Sequence, residues 1–180
     1  MIFRGTGLAG AYLIEPEPQR DQRGLFARTW SLETFAERGL ATGFSQCATS
    51  FNLAAGTLRG LHFQDAPHPE AKLVRCTRGR VFDVIVDLRP GSATLHRWFA
   101  AELGADDRRM IYVPEGFAHG FQTLEPESEL FYQITAPYRA DLQRGVRWDD
   151  PTLAIRWPAA RDRVISARDL ALPLLVAAAA

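Results

Sequence analysis

The sequence predicts an all-β domain, a sandwich or closed barrel with a few short helices. Three observations lead there. Outside one helix-like stretch, most of the chain reads as short strands. Glycine and proline punctuate those runs at fairly regular intervals, as in all-β architectures. Only one stretch reads well as a helix.

That stretch is 31–39, SLETFAERG: Ser31 can cap it, Glu33 and Thr34 sit in its first turn, and Gly39 ends it. The clearest strand is 81–88. Phe82, Val84, Val86 and Leu88 make one wholly apolar face, and Val81, Asp83, Ile85 and Asp87 make the other. Pro90-Gly91 stops it. Further strands are expected at 57–64, 72–77, 95–101, 109–113, 117–123 and 129–135. A jelly roll would close most of their edges and leave a mouth for a ligand. One domain over 1–180 is expected, with no repeat and no linker. The apolar stretch 170–180 is too short for an anchor and reads as a docked or frayed tail.

Composition narrows the function. Lysine plus arginine (21) balances aspartate plus glutamate (21), which argues against a general nucleic-acid or membrane-surface binder. An anionic ligand must then be met by a local cluster of arginines. Cys47 and Cys76 make neither a disulfide framework nor a metal-ligand spacing. No signal peptide or membrane span is evident, so a cytoplasmic protein is expected.

There are four histidines. His68 and His96 read as surface residues. His62 lies inside a predicted strand, in RGLHFQ, and His119 follows a Pro-Glu-Gly turn in PEGFAHGF. Gly56-x5-His62 and Pro114-x-Gly116-x2-His119 resemble the paired motifs of the cupin superfamily. That resemblance implies a cupin-type jelly-roll barrel. Metal cupins continue the first motif His-x-His, but the second position here is Gln64. Two imidazoles and a weak amide make a poor ligand set for iron or zinc, so no metal and no cofactor are expected.

Longer runs are more specific. TLRGLHFQ (57–64), AKLVRCTRGRVFDVIVDLRPGSAT (71–94), YVPEGFAHGF (112–121), FYQIT (131–135) and RGVRWDDPTLAIRWP (144–158) resemble the dTDP-4-dehydrorhamnose 3,5-epimerase family, in order and with matching gaps. DQRGLF (21–26) and ISARD (165–169) fit its ends. The resemblance implies inversion of C3, C5 or both in a nucleotide-linked 4-keto-6-deoxyhexose. A ketone at C4 acidifies the neighbouring C–H bonds, so the site needs a base, an acid on the opposite face, and positive charge near the enolate oxygen.

His62 suits the base and Tyr132 the acid, and the resemblance implies those roles. Lys72, the only lysine in the chain, suits the enolate oxygen as a compact point charge. Asp169 matches the aspartate that the family pairs with its histidine, and Asp83 is the competing orienter. Arg23, Gln46, Arg59 and His119 match positions that contact substrate in the family, and Arg168 stands where a lysine is usual. Phe26, Arg28, Tyr138 and Gln143 complete the expected substrate-binding set. Arg59 and His62 have opposite parity, so a bulge or bend at Gly60 is needed to turn both to one face.

The chain departs from the family at recognition positions. Arg28 replaces a glutamate, Gln46-Cys47-Ala48 replaces Gln-Asp-Asn, and Gln143 replaces a glutamate. Arg28 would suit a base with carbonyl acceptors, which leaves dTDP, CDP and GDP open. The resemblance further implies a homodimer that exchanges residues 1–30. The alternatives on the same fold are a 3,4-ketoisomerase and a non-catalytic sugar-nucleotide-binding cupin.

Overall fold

The computed structural model describes residues 1–175. In chain order the elements are β1 (Ile2–Gly5), β2 (Tyr12–Glu15), β3 (Gln19–Asp21), β4 (Gly24–Phe26), α1 (Leu32–Ala36), β5 (Gln46–Asn52), β6 (Thr57–Gln64), β7 (Lys72–Arg78) and β8 (Arg80–Asp87). There follow β9 (Trp98–Gly104), β10 (Met110–Val113), β11 (Phe117–Thr123), β12 (Ser128–Ile134), β13 (Gln143–Gly145), β14 (Val164–Ile165) and α2 (Ala167–Leu170).

Two sheets face each other. One runs β1-β2-β10-β7-β12-β5, and the other runs β13-β6-β11-β8-β9 with β14 added parallel to β6. Strands that are neighbours in space are mostly distant in sequence, as in a jelly roll. The strands β3 and β4 form a separate hairpin.

The period-2 pattern explains the core. Val74, Cys76 and Leu130 from the first sheet meet Val81, Ile85, Leu103, Phe117 and Phe121 from the second, all buried. Each such side chain contributes roughly 1.5–3 kcal/mol relative to exposure. The outer faces are covered too. Phe35 of α1, with Leu40, packs on Ile14, Leu73 and Met110. Val146, Leu153, Ile155 and Trp157 of the C-terminal segment cover Leu61, Val84 and Val86. The wholly apolar face of β8 therefore points outward, under that segment, and its mixed face carries Asp83 into the interior. Asp87 ends that interior face, bonded by Arg89, Ser92 and Thr94.

The helix α1 is shorter than 31–39, and Ser31 stands at its N-cap without a side-chain bond. Gly39, at φ +65°, stops it as expected, with its amide already in a tighter turn to Ala36. The strand expected at 95–101 starts later, at Trp98, because turns fill 92–97 and His96 adopts φ +63°. The tail docks as far as it is described. The Arg147 amide donates to the Pro173 carbonyl (2.9 Å), and the Leu175 amide donates to Asp150 (2.6 Å). The remainder of the 170–180 tail, 176–180, lies outside the described residues. Among the described residues, no helix is long and apolar enough to cross a membrane.

Candidate active site

Several polar side chains on the interior faces gather around one cavity. On β7, Lys72 continues the face of Val74 and Cys76. On β12, Tyr132 lies between Leu130 and Ile134. On β11, His119 lies between Phe117 and Phe121. These residues, with His62 and Arg59 of β6 and Gln46 of β5, line a cavity of about 340 Å³. Tyr138 and Gln143 complete its mouth.

The parity conflict on β6 is resolved by a bulge. His62 stands opposite His119 and Arg59 opposite Phe121, so two residues of β6 face Gly120 alone. Gly60 makes this possible. Its φ is +114°, and a Cβ there would lie 2.7 Å from the Gly120 Cα and 2.8 Å from the His119 carbonyl oxygen. Both Arg59 and His62 thereby reach the cavity.

His62 Nε2 lies 2.8 Å from Asp169 Oδ1. The carboxylate can only accept, so Nε2 carries the proton and Nδ1 is left as the basic nitrogen. Asp169 is buried, accepts the Gly60 amide (3.1 Å), and donates its own amide to Ser166 Oγ (3.0 Å). Burial works to raise its carboxyl, but the bonds from His62 and Gly60 outweigh that and hold it below the usual carboxylate range. Asp83, the competing candidate, has no bond to His62 among the described residues. It bonds His119 Nε2 through both oxygens (3.0 and 2.9 Å), because its strand neighbours β11, not β6.

Tyr132 rises from the sheet that faces His62, and its ring meets His119 edge-on at 5.8 Å. Burial pushes its phenol well above the ordinary value, and the charge of Asp83 adds to this against the opposing Arg59. The phenol is thus held protonated at neutral pH. Lys72 Nζ is 3.0 Å from Glu70 and 3.5 Å from the His62 carbonyl oxygen.

Charge is distributed unevenly around the cavity. His62, His119 and Lys72 each face a carboxylate, those of Asp169, Asp83 and Glu70. Arg59 instead donates to a neutral amide, Asn52 Oδ1 (2.8 Å). Asn52 is buried, with its amide nitrogen committed to the Ser50 and Ser128 carbonyls. Among the described residues, Arg59 thus lines the cavity without a carboxylate partner.

The other expected residues fall elsewhere in the single chain. Arg23 is exposed and paired with Asp21, Phe26 is 70% exposed on the β3–β4 hairpin, and Arg28 lies exposed beside it. Arg168 is exposed on α2, next to Asp169 but outside the cavity lining. His68 is exposed and His96 partly so. Gln64 is buried and fully bonded: it donates to the His68 (2.6 Å) and Pro137 (3.1 Å) carbonyls and accepts the Arg139 amide (2.8 Å). It ties together the two loops at the mouth. Among the described residues, no group of three or more His, Cys, Asp or Glu side chains is placed to hold a metal ion.

Sequence reasoning missed Glu70, Asn52 and Ser50. Glu70 carried a signal, an acidic residue two positions before the lone lysine. Asn52 and Ser50 carried none, because β5 is too polar to read as a strand.

A family model described as dTDP-4-dehydrorhamnose 3,5-epimerase matches residues 5–177. The chain belongs to that family. It is 42% identical over 175 residues to the dTDP-4-dehydrorhamnose 3,5-epimerase of Sinorhizobium fredii, covering 97% of this chain and 90% of that one. The crystal structure of the Bacillus anthracis dTDP-4-dehydrorhamnose 3,5-epimerase, with TDP and PPi bound, matches with a TM-score of 0.92 at 40% identity, over 97% of this chain and 99% of that one. NovW, a 4-keto-6-deoxy sugar epimerase of Streptomyces spheroides, matches with a TM-score of 0.91 at 39% identity, over 97% and 87% of the two chains. The protein is thus an epimerase, an isomerase of deoxysugar biosynthesis on a cupin-type jelly roll.

Proposed function

We propose that this epimerase inverts C3 and C5 of a dTDP-linked 4-keto-6-deoxyhexose, with His62 as base and Tyr132 as acid. One observation carries the reading: His62 and Tyr132 rise from facing sheets into one cavity that also holds Lys72.

His62 takes a proton from the carbon beside the ketone, and the C–H electron pair moves into an enolate whose negative charge collects on the C4 oxygen. Lys72 stabilises that oxygen. The Tyr132 phenol gives its proton to the same carbon from the opposite side, and the carbonyl re-forms. The step leaves an imidazolium and a phenolate, which solvent resets before the second carbon reacts. Asp169 fixes the ring of His62 and stabilises its charged form. Arg59, with Gln46 and His119 beside it, receives the diphosphate.

The sequence leaves the base open between dTDP and CDP or GDP. Relatives named for dTDP, and a similar structure holding TDP, favour dTDP. Arg28, which motivated the alternatives, lies outside the cavity of its own chain. A homodimer fits the geometry. The hairpin carries Arg23 and Phe26, with Arg28 just beyond it, and among the described residues β5 has an unpaired edge next to exposed Phe51 and Leu53. A second copy would cover this surface and bring those three residues to a neighbouring site. The arm in this reading is the hairpin, since β1 and β2 pair with each other and β2 with β10 within the chain.

Incubation with dTDP-, CDP- and GDP-linked 4-keto-6-deoxyglucose, followed by NMR of the products, tests the reading. Fastest conversion of the dTDP sugar, with both centres inverted, is expected. A preference for CDP or GDP sugars would contradict the nucleotide, and a 3-keto product would contradict the reaction.

A further inference from the structure

We propose that Glu70 is a positioning residue for epimerisation: its carboxylate aims the Lys72 ammonium at the sugar's ketone oxygen. This rests on the role of Lys72 in the proposed function. Glu70 and Lys72 are 6% and 7% exposed, and both line the cavity. A buried carboxylate costs several kcal/mol to desolvate unless it is paired, so its presence here calls for a use. Its partner is the only lysine in the chain.

The geometry supplies the use. An ammonium has three N–H donors on a long stem and no preferred direction of its own. Two directions are taken, one by Glu70 Oε1 at 3.0 Å and one by the His62 carbonyl oxygen at 3.5 Å. The third is left for the cavity. The second contact also ties the ammonium to the backbone of His62 itself, so base and oxyanion donor keep a fixed relation. Glu70 stands just before β7, at the end of the loop that Gln64 anchors through the His68 carbonyl. The backbone that carries Glu70 is therefore anchored, and its side chain is buried rather than free at the surface. Without it, the lysine stem could swing toward the anionic diphosphate held at Arg59.

A positioning role acts only through Lys72, and a double-mutant cycle separates it from a direct contact with substrate. Steady-state kinetics would be measured for Glu70→Gln, Lys72→Met and the double variant, with thermal melts alongside. Glu70→Gln is expected to lower kcat roughly ten- to hundredfold, with KM within about twofold of wild type. In the Lys72→Met background the same change is expected to cost nothing further. Glu70→Asp, which keeps the charge but shortens its reach, is expected to lose kcat as well, and serves if the glutamine variant fails to fold. An equal loss in both backgrounds, or a wild-type kcat in Glu70→Gln, would overturn the positioning role. A wild-type kcat in Lys72→Met would instead overturn the role of the lysine on which it rests.

Discussion

Asp169 Oδ1 lies 2.8 Å from His62 Nε2 although the two residues are 107 apart in sequence. The contact exists because the C-terminal segment returns along β6, where β14 pairs with Thr57 and Leu58 before α2 delivers the aspartate.

If the two act as one unit, their losses will not add. Asp169→Asn is expected to lower kcat by about 10²–10⁴-fold, because an amide no longer dictates the tautomer or stabilises the imidazolium. In a His62→Ala background the same change is expected to have little further effect. Turnover assays on the three variants check this, and independent, multiplying losses would contradict the pairing.

Asp87 gives a pH prediction. It is fully buried, and burial works to raise its carboxyl, but donors from Arg89, Ser92 and Thr94 hold it far below the usual carboxylate range. A group whose folded pKa is depressed contributes stability above its unfolded value, about 3.9, and loses it as pH falls toward the folded one. Stability is therefore expected to be flat from neutral pH to about 5 and to fall below about 4. Asp87→Asn is expected to cost roughly 3 kcal/mol at pH 7 and to flatten the acid slope. Thermal melts across pH measure both, and an unchanged slope in the variant would contradict the assignment.

Gly60→Ala is expected to destabilise the protein by about 3 kcal/mol or more. Positive φ and the approach of Gly120 act together there, and the bulge brings Arg59 and His62 to one cavity. Denaturant unfolding with nucleotide titration of any folded fraction tests this. Wild-type stability and affinity together would show that the bulge does not depend on glycine.

Much of the fold was legible because the inner strands are short, largely apolar runs bounded by turn residues. Strands β6, β7, β8, β10 and β11 are buried along most of their length, since covering segments bury their outer faces as well. The short or polar elements were not legible. Strand β5, QCATSFN, has a mostly exposed pattern and exists because β12 pairs with it along its full length. Strands β13 and β14 are defined by pairing with β6 rather than by their own residues. The candidate site divides in the same way. His62, Lys72, Tyr132 and His119 sit on strands whose neighbours announce the interior face. The carboxylates that bond them, Asp169, Asp83 and Glu70, are set by which segments become neighbours. No local pattern could have shown that Asp83 belongs to His119.

The most direct measurement of the catalytic claim is solvent isotope exchange followed by NMR. In D2O the wild type is expected to place deuterium at C3 and C5 with inversion at both carbons. Tyr132→Phe is expected to retain exchange at these carbons while losing inversion, because His62 can still remove and return a proton on its own face. His62→Asn is expected to lose exchange and inversion together. Persistent exchange in the His62 variant, with none in the Tyr132 variant, would contradict the assignment of base and acid to the two sheets.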